Sequence, residues 1–401
     1  MPNIFFPISK EALMPFEELL EIEKSQQQLL IGVPCETDAC EDRIPLTPET
    51  VNVLVRSGHI VTVENRAGEG AGYTDLQYSD AGAMIVNRDE AYRADVIFKI
   101  NPPTFDEIDM MKERQIIFSQ LPAYKISEEY IRRLANKNIT ALACENIKDN
   151  FDSYPFVKII SEIAGNVSVQ IASEYLSKSS GGKGILLGGI SGVNPAEVII
   201  IGSGTAAEFA ARNAIGLGAS VRVFDNSVHR LQSLQKNLGL RLFTSVIHPQ
   251  TLINALSTAD VLIGTANIDY YKQQILISEE MIMRMKPGSV IVDLNINGEG
   301  CCETSEIRTL AAPVIVKHGV IHYCVPNISS RVPHTASMAI SNILVNMILN
   351  MGKSGSLNNW LKSDTGLRNG VYMFNGTLTN QHIANLFGMT SQDLNLLMAA
   401  F

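Results

Sequence analysis

The sequence predicts an α/β fold of two domains with a cleft between them, and three observations carry that prediction. Short runs of β-branched residues alternate with amphipathic stretches along most of the chain, the pattern of parallel strands joined by helices. One run, 198–201, is four consecutive β-branched residues and opens directly into Gly202-Ser203-Gly204-Thr205-Ala206-Ala207, which reads G-x-G-x-x-A. The chain has 401 residues, 46% of them hydrophobic and 18% charged, enough for two ordinary domains with well-buried cores.

In chain order, LLIGV (29–33) reads as a first strand, followed by a polar loop to Arg43 and a helix start at Thr47-Pro48. There the hydroxyl suits the N-cap and the proline suits the first helical position. Further strands are expected at 59–65, 83–86, 94–103, 116–122 and 139–147, with a glycine-rich turn at 68–75 and a short helix around 78–82. A long helix, 157–176, carries the chain into the second domain. GGKGILLGGISGV (181–193) is too rich in glycine for an ordinary strand and is expected to form a hairpin arm. Strands at 198–201, 221–224, 241–247, 259–267 and 288–295 then alternate with helices up to about Leu217, at 229–239 and at 278–285. The segment 314–327 closes this domain; helix 336–352 is expected to return to the first, followed by a strand-like VYMF and a final helix. The expected division is an N-terminal extension (1–28), a substrate domain (29–155 with 334–401) and a nucleotide domain (156–333). Leu13, Phe16, Leu19 and Leu20 give the extension the spacing of a short amphipathic helix.

Each part of the glycine turn has a mechanical role. Gly202 allows the tight turn, Gly204 and Ala206 lie where the backbone approaches a pyrophosphate, and small Ala207 lets the helix pack closely on the strand. The helix N-terminus presents unpaired N–H groups to the phosphates. Asp225 ends the next strand, roughly 20 residues on, placed to accept hydrogen bonds from ribose hydroxyls and to repel a 2′-phosphate. The unit therefore reads as a Rossmann dinucleotide-binding domain, with NAD favoured over NADP.

A net charge of −9 argues against a nucleic acid or an anionic membrane as partner. No apolar run is long enough to cross a bilayer, and the first residues lack the features of a signal peptide, so a cytoplasmic protein is expected. Cysteines at 35, 40, 144, 301, 302 and 324 show no paired ligand spacing and read as reduced thiols, with no metal site expected.

With IGVPCETDACEDRIPLTPE, VIFKINPP, SEIAGNVSVQ, GGKGILLGGISGV, the glycine turn, MKPGSVIVD and HGVIHYCVPN in view, the sequence resembles a known family from about residue 29 onward. It is that of alanine dehydrogenase and the nicotinamide nucleotide transhydrogenase alpha subunit, and the arm and HYC segments lie closer to soluble alanine dehydrogenase. The resemblance implies two domains, NAD, a small amino acid or 2-oxo acid as substrate, and a homo-oligomer between dimer and hexamer. It matches Arg43 to the arginine holding the substrate carboxylate, and Lys99 to the lysine near the substrate carbonyl. It also matches Ser161 to a serine near the pyrophosphate, and places Asn327 where the family contacts the nicotinamide end.

Two positions depart from the family. Gln120 stands where it carries a histidine, and Asn297 where it carries an aspartate. Amides orient a substrate or a water but have no proton to exchange near neutral pH. Glu299 is the other acid of that loop; His318 and His322 read as structural, and Cys301 and Cys302 have no adjacent base. The expected function is reversible oxidative deamination of L-alanine or another small amino acid, with Arg43 and Lys99 binding substrate and Lys99, Gln120 and Asn297 at the reacting centre. The alternatives are a turnover-free NAD-binding regulatory relative, or a soluble transhydrogenase alpha-like subunit.

Overall fold

The computed structural model describes residues 27–266, 276–296 and 300–399. The helix expected around residues 13–20, and the positions Asn297 and Glu299, lie outside them.

Fifteen strands build two sheets among the described residues. The first contains β1 (Leu30–Val33), β2 (Ile60–Glu64), β3 (Met84–Val86), β4 (Val96–Phe98), β5 (Ile116–Ser119) and β6 (Thr140–Ala143). The second contains β7 (Glu197–Ile201), β8 (Ser220–Phe224), β9 (Phe243–Ser245), β10 (Val261–Gly264), β11 (Val290–Asp293), β12 (Val314–Lys317) and β13 (Val320–Tyr323). β14 (Val371–Phe374) and β15 (Thr377–Leu378) then join the far edge of the first sheet beside β6. The inner strands of both sheets are almost wholly buried and apolar, as parallel strands covered on both faces must be, while the edge strands β3, β9 and β12 are partly exposed.

The orders are β15-β14-β6-β5-β4-β1-β2-β3 and β12-β13-β11-β10-β7-β8-β9. Antiparallel edge strands apart, each sheet runs in the doubly wound order, with its reversal between β1 and β4 in the first and between β7 and β10 in the second. Ligands of such sheets bind beyond the carboxyl ends of the strands at this switch point.

Two long helices join the halves. In the helix Pro155–Leu176, Phe156, Ile159 and Ile160 pack into the core of the first sheet, and Ala164, Val167, Ile171 and Leu176 into that of the second. The helix Pro333–Lys353 buries Ile340, Leu344, Ile348 and Met351 in the first core. Its hydroxyls also fix the loop after β1: Ile44 N donates to Ser337 Oγ at 2.9 Å and Thr47 N to Ser341 Oγ at 3.0 Å. A segment remote in sequence thus positions the Arg43 loop.

One sequence expectation changes, and one segment gains detail. Residues 181–193 form no strand hairpin; the segment turns through one isolated bridge, Ile190 to Val193, with Leu187 as its buried anchor. The segment 314–327, which closes the domain, reverses at a tight turn, because His318 and Gly319 both adopt positive φ (51° and 75°), the geometry that reverses a hairpin.

Candidate active site

The nucleotide half is built by β7 and the helix Thr205–Gly216. Gly202 has φ 102°, and a Cβ there would lie 2.6 Å from Thr265 Oγ1, so only glycine fits where β7 meets the β10 loop. Gly204 is the N-cap, has no side-chain cap, and a Cβ on it would meet nothing within 4 Å. Open space therefore faces the unpaired N–H groups of the first helical turn, which fits the diphosphate of a dinucleotide. Behind it, the helix face Ala207, Ala210, Ala211 and Ala214 is fully buried. Gly165 of the long helix comes so close that a Cβ would sit 2.3 Å from the Ala206 carbonyl. Asp225, at the end of β8, accepts from Ser203 Oγ and from Ser227 N, both at 2.7 Å. A carboxylate so held keeps lone pairs for ribose hydroxyls.

Between the two switch points lies a cleft of about 640 Å³, with Arg43, Gln120, Ser161, Ala206, Thr265 and Asn327 in its wall. Arg43 is 2% exposed and Glu41 grips its guanidinium, with Nε and Nη2 each 2.6 Å from a carboxylate oxygen. Nη1 donates to Ser329 Oγ at 3.1 Å. Three of the five guanidinium N–H groups are thus used for orientation, which leaves two for a ligand. Asn327 belongs to the same cluster: in the left-handed region at φ 57°, its Nδ2 donates to Glu41 Oε2 at 2.6 Å. Glu41 and Asn327 therefore tie the two halves together across the cleft floor.

Lys99 follows β4, and with Phe98 it lines a small cavity that shares Gln120 and Ile160 with the cleft wall. Its ammonium is buried, 3.0 Å from Glu107 Oε1 and 3.5 Å from Glu36 Oε2, and donates to the Cys35 carbonyl at 3.3 Å; Lys99 does not line the cleft. Extended alternation ends with β4 at Phe98, so the strand no longer fixes where residues 99–101 point. Glu36 accepts from the backbone N–H groups of Ile100 and Asn101 at 2.6 and 3.2 Å. Burial pushes its carboxyl up to about 7 against the opposing pull of Lys99. Lys99 and Glu36 thereby hold the turn that presents Asn101 to the cleft.

Gln120, at the carboxyl end of β5, does line the cleft. Beside it stand three residues that the sequence reading missed. Asp38 follows β1, Asn101 follows β4 and Lys125 follows β5, so adjacent strand ends bring them together. Lys125 Nζ is 3.0 Å from Asn101 Oδ1 and 3.4 Å from Asp38 Oδ2, and Asn101 Nδ2 is 3.4 Å from the same oxygen. Their only sequence signal is that polar residues follow apolar strands, which is true of most loops.

The remaining candidates are structural. His322 is fully buried between Thr304 Oγ1 at 2.7 Å and the Val320 carbonyl at 3.0 Å, and burial lowers its pKa, which favours the neutral ring. Cys301 and Cys302 are buried with sulfurs 3.6 Å apart near Asp293, and the Cys302 contact and burial hold the Cys301 thiol well above its ordinary range. A thiol so suppressed is no nucleophile.

Models of the alanine dehydrogenase/PNT family match twice, the N-terminal domain over residues 32–164 and the C-terminal domain over 168–381. An alanine dehydrogenase from Staphylococcus saprophyticus is 36% identical over 368 residues, covering 91% of this chain and 99% of that protein. One from Bacillus subtilis is 36% identical over 362 residues, 90% of this chain and 95% of its own. A solved L-alanine dehydrogenase superposes with TM-score 0.84 at 34% identity, over 89% of this chain and 99% of that one. A transhydrogenase from Sinorhizobium meliloti has the same fold, with TM-score 0.74 at 24% identity over 88% and 99%.

Proposed function

The chain belongs to the alanine dehydrogenase/PNT family, and from that premise we propose that it catalyses reversible oxidative deamination of L-alanine, or another small amino acid, to a 2-oxo acid and ammonia. Supporting this reading, both switch points open onto one cleft with an oriented guanidinium in its wall. NAD, when bound along the Gly202–Ala206 turn with Asp225 at its ribose, supplies the hydride acceptor. Ser161 lies beside the diphosphate path, and Asn327 at the nicotinamide end. Arg43 binds the substrate carboxylate through its two spare N–H groups, held in register by Glu41. Gln120 and Asn297 orient the amino group or the attacking water. Residues 29–155 with 334–401 form the substrate domain and 156–333 the nucleotide domain of a cytoplasmic homo-oligomer. No helix among the described residues is long and apolar enough to cross a membrane.

Relatives spanning nine-tenths of the chain favour an enzyme over a turnover-free regulator. NADH formation from L-alanine, and its consumption with pyruvate and ammonia, test the proposal. Turnover is expected with NAD and at least 10-fold less with NADP, a difference of about 1.4 kcal/mol. Arg43→Lys, which loses the planar fork, should raise KM for the amino acid by roughly 10- to 100-fold. Tight NAD binding with no turnover across a panel of small amino acids would return the protein to the regulatory class.

A further inference from the structure

Of the buried side-chain nitrogens and oxygens left without a partner among the described residues, one belongs to the cleft wall: Asn295 Nδ2. An amide donor withheld from both water and protein costs free energy, and a binding cleft that keeps one points to a ligand that satisfies it. The side chains that flank it in the sheet order are already engaged. Thr265 Oγ1 donates to the Ile201 carbonyl at 2.8 Å, and Asn327 Nδ2 to Glu41 Oε2 at 2.6 Å. The backbone beneath Asn295 is also held. Asp293, 1% exposed at the end of β11, accepts from Asn295 N at 3.0 Å, and from Cys301 N and Ser305 Oγ at 2.7 Å each. Leu294 N donates to the Gly264 carbonyl at 2.9 Å, which extends the β10–β11 ladder to the residue before Asn295. The terminal torsion of an asparagine is broad, so the amide turns toward a ligand without moving this loop.

The order of the second sheet indicates which part of a ligand that is. From the glycine turn after β7 the strands run β10, β11, β13, and they lead into Thr265, Asn295 and Asn327. Neighbouring strands lie about 4.8 Å apart, so β11 stands about 10 Å from the glycine turn and one strand short of β13. In the other direction β8, one strand away, ends at Asp225. A dinucleotide laid across these ends has its adenosine ribose at Asp225 and its diphosphate at the glycine turn. Its second ribose then falls at β11, before the nicotinamide end reaches Asn327. A ribose diol both donates and accepts, as a primary amide does.

We propose that Asn295 binds the nicotinamide-side ribose of NAD, its Nδ2 donating to a ribose hydroxyl. The assignment rests on the NAD part of the proposed function. It makes Asn295 a binding residue with no share in the proton chemistry, because an amide exchanges no proton near neutral pH. The two riboses of the cofactor are thereby held differently, one by the carboxylate of Asp225 and the other by an uncharged amide.

The test measures calorimetric binding of NADH, ADP-ribose and ADP to wild type and Asn295→Ala, together with melting of the ligand-free proteins. ADP-ribose carries the second ribose without the nicotinamide, and ADP lacks both. Asn295→Ala should bind NADH and ADP-ribose roughly 3- to 10-fold more weakly, as the loss of one hydrogen bond requires, with ADP within about two-fold of wild type. The ligand-free variant should melt at or above the wild-type temperature, because it loses a donor that the protein itself leaves unmet. Equal weakening of all three ligands with a lowered melting temperature would make Asn295 a support of the loop and overturn the assignment. A loss confined to NADH would move the amide to the nicotinamide and overturn it too, as would unchanged binding of NADH and ADP-ribose. Wild type that binds NADH but turns over no amino acid would sink the deamination reading instead, and the three ligands would still decide the place of Asn295.

Discussion

Lys99 and Asn101 are two residues apart, yet one is buried among carboxylates and the other lies in the cleft wall. A cation at the end of an apolar strand is conspicuous in a sequence; an asparagine before two prolines is not. What no spacing reveals is that Glu36, on a loop remote in sequence, and Glu107, on the next helix, both claim the ammonium. Lys99→Met should therefore act through stability, because it strands two buried carboxylates. A loss of about 3–5 kcal/mol in denaturant unfolding is expected, with kcat falling only as the fold loosens. An unchanged midpoint with a 100-fold drop in kcat would place Lys99 at the reacting centre.

The strand–turn–helix at 197–216 was legible to within a residue at its ends, because glycine geometry, helix polarity and β-branched burial all constrain the same few positions. The helix that braces it was legible only as a helix. SEIAG gives no hint that Gly165 is the point of contact, since helix pairing depends on faces that meet across the fold. Gly165→Ala should push the helices apart at the Ala206 carbonyl, costing about 1–3 kcal/mol as overpacking does. It should also weaken NAD binding by displacing the turn that receives the diphosphate. A variant with wild-type melting and wild-type NAD affinity would remove this helix from the support of the site. The hairpin at His318-Gly319 was missed for a different reason: a histidine at positive φ is uncommon, so Lys317-His318-Gly319 between two apolar runs does not announce a two-residue turn.

At the scale of the whole molecule, alternation of strands and helices announced two α/β units, but not that their switch points would face each other, which depends on where the two long helices cross. That arrangement buries acids beneath the loops of the site, and they set the protein's response to pH. Glu36 and Glu145 are both pushed up to about 7 by burial, and Glu145 spends one oxygen on the Leu121 N–H at 2.8 Å while the other is buried without a partner. A carboxyl whose folded pKa exceeds its unfolded value stabilises the fold below the unfolded pKa, and that contribution is lost as pH rises through the folded one. Between pH 5 and pH 8, ionising Glu145 should thus cost on the order of 3 kcal/mol of stability. Glu145→Gln keeps an acceptor for Leu121 but carries no charge. Relative to wild type, its melting temperature should be higher at pH 8 than at pH 5, by roughly 2–4 °C per kcal/mol where the first domain melts as a unit of about 200 residues. The absolute offset between the two proteins also contains the fit of the new amide, so the change of that offset with pH is the informative quantity. An offset that stayed constant from pH 5 to pH 8 would mean that Glu145 keeps an ordinary carboxylate pKa in the folded protein, and that solvent reaches beneath the Gln120–Lys125 loop.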